Sequence, residues 1–153
     1  MPVSADAQPT NAQSADAPPA NAQHSNADKV ADFHRAIGKI LPATPTVPAA
    51  AELAFRLTLL REEMAEVQEA AGELKAKLPH ADVAEVFPLA HELVDLLYVA
   101  YGALQALGVD ADLAFAEVHR ANMHKTTGPR RADGKQLKPE GWVAADLRAV
   151  FGV

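Results

Sequence analysis

The chain contains no cysteine, so disulfides, thiolate metal sites and cysteine nucleophiles are all excluded. Aromatic residues make up only 5% of its 153 residues, while alanine and leucine abound, a mixture that favours helix over strand. An excess of positive charge is also missing. The formal net charge is −6, which argues against a general nucleic-acid binder, whose surface needs a basic balance. No apolar run approaches the roughly 18 to 20 charge-free residues of a membrane span. The first residues offer neither a basic leader nor an apolar stretch of the kind that directs secretion. The expectation is a cytoplasmic protein without nucleic-acid or membrane partners.

What is present fits one soluble domain. Apolar residues make up 49% and charged residues 22%, ordinary values for a globular chain long enough to bury a core. Residues 1–27 stand apart. They are rich in Ala, Pro, Asn, Gln and Ser and contain an imperfect ten-residue repeat, ADAQPTNAQS then ADAPPANAQH, from Ala5 to His24. Such a stretch cannot bury enough surface to offset its ordering entropy, so a disordered tail is expected over 1–27 and a folded domain over 28–153.

Within the domain the apolar spacing is helical. Asn26 or Asp28 caps a first helix with Val30, Phe33, Ile37 and Leu41 on one face. Pro42, Pro45 and Pro48 enforce an extended link. A long second helix follows from about Ala49 to Lys77, with Leu53, Leu57, Leu60, Met64 and Val67 as its core stripe, and Pro79 ends it. HADVAEVFP reads as a helical turn or loop. A third helix has Pro88 in its first turn, runs to Leu107 and meets a C-cap glycine, Gly108. Asp110 caps a fourth helix reaching about Lys125, and a last short helix lies near Ala144 to Phe151. No segment alternates with period two over strand length. The prediction is an all-α, four-helix-type bundle with an irregular basic C-terminal arm.

The chemistry sits in two of these helices. In LLREEMAEVQEA, Glu62, Glu63 and Glu66 occupy neighbouring positions at helical spacing. In HELVDLLYVAYGALQALG, Glu92 and Asp95 repeat the i, i+3 relation on a helix that is apolar almost all round. Consecutive helices tend to pack antiparallel, which would set the two clusters face to face. Carboxylates crowded in a cleft repel one another, and a hard divalent cation resolves the repulsion. The plain alternative is a solvated acidic face, the better reading for Glu69 and Glu73. Glu92 and Asp95 shift the balance, because their helix has little solvated face to offer. Gly102, seven residues past Asp95, permits a close helix approach.

REEMAEVQEA followed by HELVDLLYVAYGAL resembles the E-x-x-E … E-x-x-D pattern of the all-α nucleoside triphosphate pyrophosphohydrolases, the MazG-like enzymes and dimeric dUTPases. Here it reads Glu63-x-x-Glu66, 25 residues, then Glu92-x-x-Asp95. FAEVHRANMHKTTGPRRADGKQLKPEGW is similar to the family's Asn-x-x-Lys helix end and its GK…KPEGW arm. The resemblance covers roughly residues 28–148. It implies Glu63, Glu66, Glu92 and Asp95 as magnesium ligands, with manganese as the substitute metal. By the same resemblance Glu62 is the general base, Asn122 and Lys125 contact sugar or phosphate, and Phe33, with His34 and Ile37, belongs to a base pocket. The implied activity is hydrolysis of a nucleoside triphosphate, dUTP or a related non-canonical nucleotide, to the monophosphate and pyrophosphate, in a house-cleaning role.

Bottom-up chemistry supports part of this. From Arg120 to Lys138 the chain carries Arg120, Lys125, Arg130, Arg131, Lys135 and Lys138 against one acid, Asp133, an asymmetry suited to an anionic ligand. Gly128, Gly134 and Gly141 make that arm pliable. Trp142 either anchors the arm or stacks on a base. His34, His91 and His119 are expected in the core or an interface. GPRRADGK fails as a P-loop, since five residues separate its glycines and Gln136 replaces Ser or Thr. HELVD is not H-E-x-x-H, and no Glu-x-x-His pair of a di-iron bundle occurs. The non-enzyme alternative is a helical dimerisation module or a nucleotide-binding regulator. So apolar a third helix predicts a homodimer or higher homo-oligomer.

Overall fold

The computed structural model describes residues 24–153. The polypeptide forms α1 (Asn26–Ala36), α2 (Ala50–Lys77), α3 (Phe87–Ala106), α4 (Ala111–His124) and a short α5 (Leu147–Phe151), with 3-10 turns at Val83–Val86 and Lys125–Thr127. Among the described residues the pairing of extended backbone amounts to one antiparallel bridge, Arg130 with Gln136. The all-α expectation holds. The expected tail falls mostly on residues 1–23, outside the described residues.

Local chemistry sets the helix ends. Ser25 caps α1: its Oγ accepts from Asp28 N at 3.1 Å while its own N–H donates to the Asp28 carboxylate at 3.0 Å, a reciprocal capping box. The cap is thus one residue before Asn26, with Asp28 as its partner. Gly38 takes a left-handed φ of +77° and stops α1 short of the expected Leu41. At the far end of α3 Gly108 also has positive φ, and a Cβ there would lie 2.0 Å from Thr44 O. That close approach lets Thr46 N donate to Leu107 O at 2.9 Å, fastening the proline-rich link to α3. Asp110 Oδ1 caps α4 through Asp112 N and Leu113 N, both at 3.0 Å.

α3 is the central element. α2 runs antiparallel along it, α1 lies against it, and α4 meets its C-terminal half. The packing differs from the expected core. The buried apolar side chains are Val30, Ala31, Ala70, Ala106, Ala111, Ala114 and Ala121, and among the described residues no large side chain is fully buried. On α2 the stripe expected inside is open, with Leu53 47%, Leu57 41% and Met64 43% exposed. The face that α2 turns to α3 runs instead through Arg56, Glu63 and Ala70, at i, i+7 and i+14. The leucine stripe lies about a quarter-turn away from that line at 3.6 residues per turn. On α1, Val30 is buried but Phe33 and Ile37 are exposed, and Ile40 stands almost fully in solvent.

Candidate metal centre and its surroundings

The antiparallel pairing of α2 and α3 brings Glu63 against Glu92 and Asp95. One carboxylate oxygen from each lies within 4.8 Å of the other two, and all three residues are partly buried. Burial, then the charges of Glu66, Asp95, Glu92 and Glu62, hold the Glu63 carboxyl above the ordinary carboxylate range. All four charged neighbours are anions. Such a knot of oxygen donors is unfavourable empty of charge and suited to a hard cation. Glu62 and Glu66 are exposed and stand outside the converging group, within electrostatic reach of Glu63. On the solvent side, His91 Nε2 lies 3.1 Å from Asp95 Oδ2 and Nδ1 3.9 Å from Glu92 Oε1. His91 is thus exposed in the single chain, as is His119, so neither lies in the core.

Two to three turns along the bundle from the carboxylates lies a buried polar network. His34 Nδ1 meets Gln105 Oε1 at 2.9 Å, and Gln105 Nε2 donates to Ala27 O at 2.7 Å. Because the Gln105 amide N–H is committed, its oxygen must accept. The proton therefore sits on His34 Nδ1, and Nε2 accepts from Arg56 Nη1 at 3.2 Å. Arg56 Nε donates to Glu52 at 2.8 Å, so the buried guanidinium is neutralised. Gly102 makes this possible: a Cβ there would lie 2.9 Å from His34 Cε1 and 3.0 Å from Arg56 Nη1. Next to His34, the Phe33 ring meets Tyr98 edge-on, centroids 5.7 Å apart at 74°. Tyr98 follows Asp95 by three residues and shares its side of α3.

The C-terminal arm is a turn stapled to α4. Arg131 N donates to Lys135 O at 2.8 Å and Leu137 N to Pro129 O at 2.8 Å, while the Arg131 guanidinium pairs with Asp133. Trp142 Nε1 donates to Ala121 O at 2.8 Å, and two ammonium groups lie over its ring, Lys125 at 5.4 Å and Lys138 at 4.1 Å. Lys125 Nζ also donates to Asn122 Oδ1 at 2.7 Å. Farther along, Glu117 accepts two bonds from Arg120 and one from Asp146 N at 2.9 Å. These contacts lower the Glu117 pKa to about 2.

The expected site residues therefore fall into groups. Glu63, Glu92 and Asp95 come together, with Glu62 and Glu66 beside them. Asn122, Lys125, Lys138 and Trp142 form a second cluster at the end of α4, and Trp142 anchors the arm. Arg131 is engaged by Asp133, whereas Arg130 and Lys135 have no carboxylate partner among the described residues. Phe33 is a half-exposed aromatic edge. His91 and Tyr98 are not among the expected site residues, although both sit at helical spacing from Asp95, at i−4 and i+3. Nor are Arg56 and Gln105, whose polarity on otherwise apolar faces is the signal the sequence offers.

Residues 30–122 match the family model described as phosphoribosyl-ATP pyrophosphohydrolase. No curated protein matches the chain.

Proposed function

The chain belongs to the phosphoribosyl-ATP pyrophosphohydrolase family, within the MazG-like all-α pyrophosphatase superfamily, and from that premise we propose that it is a magnesium-dependent hydrolase of a nucleoside triphosphate. The reaction adds water across a phosphoanhydride bond and yields the nucleoside monophosphate and pyrophosphate. The observation that carries this reading is the convergence of the Glu63, Glu92 and Asp95 oxygens within 4.8 Å. An all-oxygen donor set fits magnesium, a hard cation that keeps several of its waters and leaves positions for phosphate oxygens.

Glu63, Glu92 and Asp95 hold the ion, Glu66 completes the acidic set, and manganese substitutes for magnesium. The bound metal supplies charge neutralisation for the phosphates and a polarised water. Glu62, exposed beside the ligands, takes the proton of the attacking water. Phe33 and Tyr98 offer an aromatic edge for a base one turn from Asp95. Asn122, Lys125 and Lys138, with Arg130, Arg131 and Lys135 of the arm, supply cations for the phosphates, and Trp142 fixes the arm that carries them.

A uracil deoxynucleotide is the substrate favoured by the likeness to dimeric dUTPases, and the cellular role is nucleotide-pool house-cleaning in the cytoplasm. The family match favours a second reading, phosphoribosyl-ATP. The deciding experiment incubates the full chain with dUTP, the canonical triphosphates and phosphoribosyl-ATP, with magnesium or a chelator, and measures pyrophosphate. Magnesium-dependent release from dUTP above the others is expected. Release confined to phosphoribosyl-ATP replaces the substrate and keeps the chemistry. Silence throughout leaves a non-catalytic helical or nucleotide-binding module.

A further inference from the structure

We infer that His91 supplies a nitrogen ligand to the ion held by Glu63, Glu92 and Asp95, so that the site selects a transition cation such as cobalt over magnesium. His91 lies outside the E-x-x-E … E-x-x-D pattern, and its part here rests on the carboxylates holding a metal as proposed above. It is the one histidine on α2 or α3, the two helices that bring the carboxylates together. It precedes Asp95 by four residues, so both side chains leave α3 on the same face. HELVD is not H-E-x-x-H, yet it keeps that motif's i, i+4 pair of donors, with Asp95 in the second place.

The spacing is that of two ligands to one ion. His91 Nε2 lies 3.1 Å from Asp95 Oδ2, and adjacent corners of an octahedral shell with bonds of about 2.1 Å are about 3.0 Å apart. The other ring nitrogen, Nδ1, faces Glu92 Oε1 at 3.9 Å. A ligating imidazole ordinarily donates its second N–H to a carboxylate, a carbonyl or water, so Glu92 stands where that partner is needed. The ring joins the three carboxylates at their rim, through Asp95. Its side chain is 71% exposed, so it turns toward an ion with little packing to oppose it. An exposed ion pair with Asp95 is a weak hold on the ring, readily exchanged for a bond to a metal. Imidazole suits transition cations, and affinity for a mixed nitrogen and oxygen site rises from manganese to cobalt. Magnesium, which takes oxygen ligands, gains little from it.

Titration calorimetry of the full chain with cobalt and with magnesium, native against His91→Ala, reads the effect. The variant sets alanine, the best helix former, at an exposed position of α3. It should weaken cobalt binding by at least about tenfold and magnesium binding by less than about threefold. With manganese bound, electron spin-echo modulation from an imidazole nitrogen should appear in the native chain and vanish in the variant. Bound manganese without nitrogen modulation, or modulation that survives in His91→Ala, overturns the role of His91 and leaves the carboxylate site standing. So does an equal loss of affinity for cobalt and magnesium. Failure of all three cations to bind the native chain removes the metal site itself, and His91 with it.

Discussion

Glu63 sits among four acidic neighbours, Glu62, Glu66, Glu92 and Asp95. Its proton is held more tightly in the folded state than in the unfolded chain, through burial first and the surrounding acids second. A carboxyl raised in this way costs stability as pH climbs from the ordinary carboxylate value of 4.5 through the raised one. In a chelator at pH 7.5, Glu63→Gln should therefore melt at or above the native chain. Magnesium should raise the melting midpoint of the native chain and leave that of the variant unchanged. Scanning calorimetry with and without metal reads both effects, and a variant that gains the same increment from magnesium removes Glu63 from the ligand set. Glu62→Gln separates base from ligand. It should keep the magnesium increment while pyrophosphate release falls by about 10²- to 10⁴-fold, the usual worth of a general base. Retained turnover would move the base to another group, with His91, 3.1 Å from Asp95, a titratable candidate.

At the scale of elements, two glycines inside helices make a matched pair. A Cβ on Gly102 would press into the His34 ring and the Arg56 guanidinium, whereas one on Gly72 of α2 meets nothing within 4 Å. Gly102→Ala should cost about 1–3 kcal/mol by overpacking, and Gly72→Ala should gain about 0.5–1 kcal/mol from lost backbone freedom. Urea midpoints of the two variants, moving in opposite directions, check both. The arm offers a pH test. Glu117 ties Arg120 to the backbone of Asp146, and its pKa is lowered to about 2 from 4.5. That contribution is present above 4.5 and lost as pH falls toward 2. Trp142 emission should report the arm loosening over that window, and Glu117→Gln should flatten the titration. Much at this scale was legible in the sequence, because caps and breakers act locally: Pro88, Gly108 and Asp110 fall where their chemistry demands. The i, i+3 carboxylates could be read for the same reason, since their placement needs only two antiparallel helices. The orientation of α2 could not. A stripe at Leu53, Leu57, Leu60 and Met64 says that a face is apolar, not what covers it. That Arg56 faces inward depends on His34, Gln105 and Gly102, which lie far away in sequence.

For the whole molecule, the thin interior is the governing fact. Seven small buried apolar residues among the described ones are a slight core, since domains near this size bury about two-thirds of their surface and fill the interior with large side chains. Burying apolar surface contributes about 25 cal/mol per Å², so leucines left in grooves are stability withheld until another surface covers them. If a second copy supplies it, folding and association are one equilibrium, and stability depends on chain concentration. A hundredfold increase then adds about 2.7 kcal/mol per dimer. With an unfolding entropy of about 2.1 cal/mol/K per residue over two chains, the melting midpoint should rise by about 4–5 °C between 1 and 100 μM. Calorimetry or circular dichroism at the two concentrations measures this directly. A self-sufficient monomer predicts no shift. Phe115→Glu, which sets a charge on the exposed apolar side of α4, should abolish the concentration dependence and lower the midpoint at 100 μM toward that of the dilute native chain.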